Sequence, residues 1–243
     1  MLQALQPYKS TITSIFHILP CPRVRSALLL GRMWEYGRMV DGKKALRQLK
    51  ELGRMGGVKK MRLVAEEWEE EWQTLLGILM SARTLDETTV EVGERLFKAY
   101  PSVEKLAKAP LKDIERIINR VNFFQNKAKY VTRSAKILHE RYAGKPPHIL
   151  EELVQLPGVG RKTANVFLAQ YGHQAIGVDT HVAYISQKLG WTLHTDPAKI
   201  EQDLVAIFPE KHWSELNRTL VRFGKSYTSR TQKDEILKDI LKI

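Results

Sequence analysis

The chain has 243 residues, 43% of them apolar, and a formal net charge of +12. That apolar share excludes global disorder, and the length allows one large domain or two small ones. The positive balance favours a polyanion, nucleic acid first, as partner, while a single cysteine, Cys21, rules out an internal disulfide or a Cys/His metal cluster.

In chain order, the first segment is the most basic. Residues 1–60 hold 12 Lys/Arg against 3 Asp/Glu. Within them, residues 1–40 read as a basic extension, with Lys9, Arg23, Arg25 and Arg32 and no acid before Glu35. Three readings stay open: an organellar transit peptide, a poorly ordered leader, or an upstream start codon with the true one at Met33 or Met39. Helical periodicity dominates the rest of the chain. The stretch "KKALRQLKEL" spaces Leu46, Leu49 and Leu52 as on one helix face, and "EEWEEEWQTLLGILM" does the same with Trp68, Trp72, Leu75, Leu76 and Leu79. Asp86 is placed to cap a helix over 87–99 that Pro101 stops. Further helices are predicted at "PLKDIERIINRV", at "NKAKYVTRSAKILHERY" and, after Pro146-Pro147, around Leu150, Leu153 and Val154. Asp196-Pro197 is a cap followed by proline at the first helical position. Two last helices are expected near 211–223 and 233–242, the final one with Ile236, Leu237, Ile240 and Leu241 as its apolar stripe. The fold class predicted is all-α. No stretch of about 20 apolar residues occurs, so no membrane span is expected.

The stretch "LPGVGRKTANVFLAQYGHQAIGVDTH", Leu156 to His181, carries the chemistry. Leu156-Pro157 breaks one helix, Gly158-Val159-Gly160 turns the chain, and a second helix starts near Arg161 and runs to Gly172, a C-terminal cap. Paired glycines let backbone turn sharply and approach another molecule. Free N–H groups at the following helix start make an anion site. A nucleotide P-loop would need glycine where Gln155 stands and no residue between Gly160 and the lysine, so that reading is discarded. The unit is a helix-hairpin-helix, which grips a DNA backbone without reading its sequence. A lysine attacks as a nucleophile only when neutral, and Lys162 sits at the helix start, where the local field opposes its charge. Asp179 follows the apolar "AIGV" and is placed at the start of the next helix, where it also makes a good N-cap.

With Asp179 added, these residues resemble the base-excision DNA glycosylases of the helix-hairpin-helix (HhH-GPD) superfamily, and "LPGVGRKTAN…VDTH" is most similar to its endonuclease III members. The likeness runs from about Asp41 to about Tyr227 and includes "LLGILMSARTLD", "FFQNKAKYV" and "FGKSYT". The resemblance implies a two-lobed helical fold with a DNA-binding cleft between the lobes. One lobe is a six-helix barrel over 64–174; the other joins 41–63 to 175–243. It implies that Lys162 attacks C1′ of a damaged nucleotide, and that Asp179 stabilises the charge growing on the sugar. Gly158, Val159, Gly160, Arg161 and Lys127 become expected DNA contacts. Arg83 would fill the hole left by a flipped nucleotide, with Phe123 as a second wedge. Asp86 and His181 are candidates for the pocket wall, the latter also read as a structural histidine.

The implied activity is removal of a damaged base, by default an oxidised pyrimidine, from duplex DNA, coupled to cleavage at the abasic site. Two alternatives stay open: a glycosylase without strand cleavage, for alkylated or mismatched bases, and a non-catalytic DNA-binding module. Endonuclease III members carry four C-terminal cysteines on a [4Fe–4S] cluster. This chain has Ser229 near the first of those positions and no cysteine after it, so no cofactor and no metal are expected. The expected partner of this monomer is double-stranded DNA with damaged bases or abasic sites. Its expected place is intracellular: cytoplasm or nucleoid, or mitochondrion or nucleus if residues 1–38 are a transit peptide.

Overall fold

The structure, a computed structural model, describes residues 40–56 and 61–243. The transit-peptide and alternative-start readings, and Cys21 itself, lie outside the described residues. Twelve α-helices and no strand occur among the described residues: α1 (Gly42–Gly56), α2 (Glu71–Ser81), α3 (Asp86–Ala99), α4 (Val103–Ala107), α5 (Leu111–Ile117), α6 (Phe124–Tyr142), α7 (Leu150–Leu153), α8 (Arg161–Gln170), α9 (Thr180–Lys188), α10 (Pro197–Ile207), α11 (Trp213–Ser226) and α12 (Arg230–Leu241). None is long and apolar enough to cross a membrane.

Local chemistry explains most of the boundaries. Ser102, Asp179, Asp196 and Ser229 each accept a hydrogen bond from a backbone N–H of the first turn they precede. Pro197 occupies the first helical position of α10, where its missing N–H costs nothing. Helix α8 closes with Gly172 in the left-handed region at φ +79°. There the N–H of Gly172 reaches Ala169 O at 3.2 Å and that of His173 reaches Leu168 O at 3.0 Å, a Schellman closure.

Three boundary details differ from the sequence expectation. Trp68 lies ahead of α2, which starts only at Glu71, because Glu70 and Gln73 form a reciprocal capping box. Freed from the helix, the Trp68 indole donates to Val64 O at 2.7 Å and lies against Gly77 and Gly93, where any Cβ would strike the ring. Asp86 does not cap α3; Leu85 holds the cap position without a side-chain bond, and Asp86 is the first helical residue. In the last helix Leu237 and Ile240 are buried, whereas Leu241 is 40% exposed, since a helix of 12 residues offers its neighbours only a narrow stripe.

Two hydrophobic cores form. The first draws on α2 to α8, with Leu76, Met80, Leu96, Ile114, Leu138 and Phe167 inside. The second joins α1 to α9–α12 around Leu52, Ile185, Trp191, Leu204, Leu220 and Phe223. A buried polar chain closes the second core. Trp191 Nε1 donates to Gln48 Oε1 at 2.7 Å, and Gln48 Nε2 donates to Ile240 O at 3.3 Å, so α1 is tied to the last helix. Helices α1 and α11 lie so close that a Cβ on Gly56 would stand 2.7 Å from Phe223 N. Truncating a fully buried leucine here, such as Leu220, removes about 2–5 kcal/mol.

The two cores are joined across a cleft by charge. Arg222 pairs with Glu66, Lys225 with Asp86 at 2.5 Å, and Arg161 with Glu201 at 2.7 Å. In each pair one partner sits with the first core and the other with the second.

Candidate active site

The hairpin before α8 is held from both sides. Gly158 adopts φ +80°, and a Cβ there would stand 2.6–2.8 Å from Tyr130 Cδ2, Cγ and Cβ, so only glycine lets the turn lie on that ring. Ser134 of α6 donates to Pro157 O at 2.9 Å. Gly160 is the N-cap of α8, without a side-chain bond to the first turn, and a Cβ there would meet nothing within 4 Å. The first intrahelical bond is Ala164 N–H to Gly160 O at 3.0 Å. The N–H groups of Arg161, Lys162 and Thr163 therefore have no acceptor within the helix, and point outward at its positive end. This is an open anion seat, and the backbone N–H of Lys162 is one of its groups.

Asp179 reaches the same place from the other core. The segment 175–179 crosses between the cores and is stitched to both. Asn165 of α8 donates to Ile176 O at 2.9 Å, and Asn217 of α11 donates to Gly177 O at 2.7 Å. Gly177 lies so close to Val166 that a Cβ would overlap it. The aspartate at the end of this segment caps α9: Oδ1 accepts the Val182 N–H at 2.8 Å. The cap uses one carboxylate oxygen and leaves the other for chemistry.

Lys162, Asp179, His181, Arg83, Asp86 and Lys225 all line one cleft of about 1140 Å³. His181 packs edge-close on Gly224, where any Cβ would run into Nδ1. Burial holds the His181 pKa below its ordinary value, opposed by the Asp179 and Asp86 charges and reinforced by Lys233 and Lys225. The imidazole is thus neutral near pH 7, a hydrogen-bonding group and not a cation. Asp86 is on the cleft wall, its carboxylate paired with Lys225 and accepting the Val64 N–H at 3.3 Å.

Two exposed loops stand at the rim. Arg83 (φ +57°) and Phe123 (φ +59°) are both left-handed non-glycine residues. The Arg83 guanidinium lies over the Phe123 ring, 5.0 Å from its centroid, and Phe123 is 56% exposed.

Two expected DNA contacts, Lys127 and Val159, are at odds with their surroundings, and a third, Arg161, already holds a partner within the protein. Lys127 is buried; its ammonium donates to Met80 O at 2.7 Å and Ala82 O at 2.5 Å, so it cannot reach a phosphate. The Val159 side chain packs in the first core, and its N–H donates to Leu156 O at 3.0 Å, which leaves it no group to offer. The Arg161 guanidinium, 58% exposed, forks onto both oxygens of Glu201 at 2.7 and 2.9 Å, while its backbone N–H remains one of the groups at the anion seat. Sequence reasoning missed Asn165, Asn217, Gly177, Gly224 and Lys225. The two glycines carry a readable signal, since neither serves a turn and each permits a close approach. The asparagines carry none, because their partners are backbone carbonyls on other segments.

Comparison with known proteins agrees with this geometry. The family model described as HhH-GPD superfamily base excision DNA repair protein matches residues 76–210. Endonuclease III of Thermotoga maritima is 39% identical over 155 residues, covering 63% of this chain and 73% of that protein. Endonuclease III of Synechocystis sp. is 40% identical over 156 residues, covering 63% and 71%. A solved endonuclease III–DNA covalent intermediate superposes with a TM-score of 0.72 at 30% identity, over 79% of this chain and 89% of that one. The chain belongs to the HhH-GPD superfamily of base excision DNA repair proteins and is an endonuclease III-like DNA glycosylase/AP lyase.

Proposed function

We propose that this enzyme excises oxidised pyrimidines from duplex DNA through a covalent imine on Lys162, and does so without an iron–sulfur cluster. The observation that carries the reading is the meeting of Lys162, Asp179 and Arg83 on one cleft, beside an open helix start. The phosphate backbone seats on the free N–H groups of the hairpin and α8. The damaged nucleotide swings into the cleft, and Arg83 fills the space it leaves. The Lys162 amine attacks C1′; the C1′–N bond breaks and the base departs with the electron pair, taking up a proton. Asp179, anionic beside the sugar, stabilises the positive charge that develops as that bond breaks. Ring opening gives the imine, β-elimination breaks the C3′–O bond, and water then returns the free amine. That a related endonuclease III has been trapped covalently on DNA supports this course.

The residues do not fit the cluster. Four thiolates cannot be drawn from a chain with one cysteine, and the segment after Tyr227 is instead α12, capped by Ser229 and packed through Leu237 and Ile240. Hydrophobic burial of that helix takes over the stapling.

The test is a panel of duplexes, each with a single lesion or an abasic site, incubated with and without borohydride. A covalent adduct is expected with the wild type and none with Lys162→Ala; Asp179→Asn should lose base excision. Base release without an adduct would refute the lysine mechanism and favour a glycosylase lacking strand cleavage.

A further inference from the structure

The buried ammonium of Lys127 lies outside the steps assigned to Lys162 and Asp179, yet it is the hub of the two rim loops. Lys127 stands in the first turn of α6 and is 6% exposed. Its Nζ donates to Met80 O at 2.7 Å, Ala82 O at 2.5 Å and Thr84 Oγ1 at 3.3 Å. These three acceptors match the three N–H donors of an ammonium. The two carbonyls among them lie at the end of α2, the negative end of that helix, where a cation is stabilised. The opposite loop grips the same turn. Asn122 N–H donates to Thr84 Oγ1 at 3.1 Å, and Asn122 Nδ2 donates to Arg83 O. The knot spans Met80–Thr84 and Asn122–Lys127, and the two residues it presents outward, Arg83 and Phe123, both hold a left-handed backbone. Such a conformation is unfavourable for a non-glycine residue and persists only where surrounding bonds over-determine it.

We propose that Lys127 is a positioning residue that locks the Arg83 and Phe123 loops into one pre-formed wedge, and so governs extrusion of the nucleotide and not the chemical step. The proposal rests on the reading of Arg83 as the residue that fills the void. Pre-formation matters because two exposed loops ordered only on the DNA would charge that ordering to the extrusion step. Burial lowers the Lys127 pKa to about 8, so the amine still carries its proton at pH 7 and can donate to all three acceptors. A knot of this kind is invisible to the lesion. It is felt only where stacked, paired bases have to be prised apart.

The experiment compares single-turnover excision of one lesion, the best substrate of the duplex panel, in duplex and in single-stranded DNA. Lys127→Met keeps the length of the side chain and removes the donors; Asn122→Ala, at an exposed position, loosens the same knot and keeps the test alive if the first variant does not fold. Each should slow duplex excision between about tenfold and about a hundredfold, the scale of ångström misplacement, and leave the single-strand rate within about threefold. In a double-mutant cycle, Lys127→Met should add little on top of Arg83→Ala. Equal losses on both substrates, or fully additive effects, would overturn the proposal. If Arg83→Ala itself spares duplex excision, the wedge reading falls instead.

Discussion

Gly158→Ala separates the hairpin as a fold element from the hairpin as a DNA grip. Two terms set its cost. Holding alanine at φ +80° costs about 1–2 kcal/mol. The new Cβ would also stand 2.6–2.8 Å from three atoms of Tyr130. The ring, 39% exposed, can turn outward; its Cβ, fixed to the α6 backbone, cannot. Overpacking of this kind costs about 1–3 kcal/mol, so the two together give about 2–5 kcal/mol. At about 2–4 °C per kcal/mol for a chain of this size, the melting temperature should fall by about 4–20 °C. Gly160→Ala is the control. Its φ of −90° suits alanine and a Cβ there meets nothing, so only the weaker N-cap should register, below about 1 kcal/mol. Its DNA affinity should nonetheless drop, because the methyl group stands where a phosphate must approach. Paired thermal or urea melts and salt titrations of binding read both effects. A Gly158→Ala variant within 0.5 kcal/mol of wild type, by the ~0.5 kcal/mol scale of neutral surface changes, would refute the steric argument.

Gly224→Ala should push His181 off the cleft wall and reduce the single-turnover rate by more than tenfold, by the ~10²-fold scale of ångström displacement, with DNA affinity changed far less. Glu201→Gln removes the charge partner of Arg161; the freed guanidinium, itself exposed, should tighten DNA binding and steepen its salt dependence by about one counterion. His181 has its pKa lowered by burial, so the unfolded chain binds its proton more readily. Stability from this group is full above about pH 6.5 and is lost as pH falls toward the lowered folded value. Melting temperatures of wild type and His181→Asn between pH 5 and 8 should differ in slope only at the acid end; parallel curves would contradict the assignment.

What could be read in advance was what is local. Asp179, Asp196-Pro197 and Gly172 declare helix ends through bonds that span three to six residues, and the structure places those ends as expected. The helical class follows from apolar spacing of the same range. The roles of Lys127, Arg161 and Val159 could not be read this way, since sequence gives a side chain's chemistry and not its partner. A lysine beside an exposed rim loop looks like a phosphate contact until Met80 O, 47 residues away, is found to hold it. Arg161 meets Glu201 at a separation of 40, and Asp86 meets Lys225 across the cleft. Asn165 and Asn217 are ordinary helix residues until the crossing segment passes between them.

That crossing segment has a mechanical consequence. The amine rides on one core and the acid hangs from the doorway of the other, so the gap between them is a gauge of the angle at which the two halves stand. A duplex admitted by prying the halves apart would pull the proposed pair, Lys162 and Asp179, out of register. A duplex that distorts itself to enter leaves the gauge untouched, and puts the work of deformation on the nucleic acid.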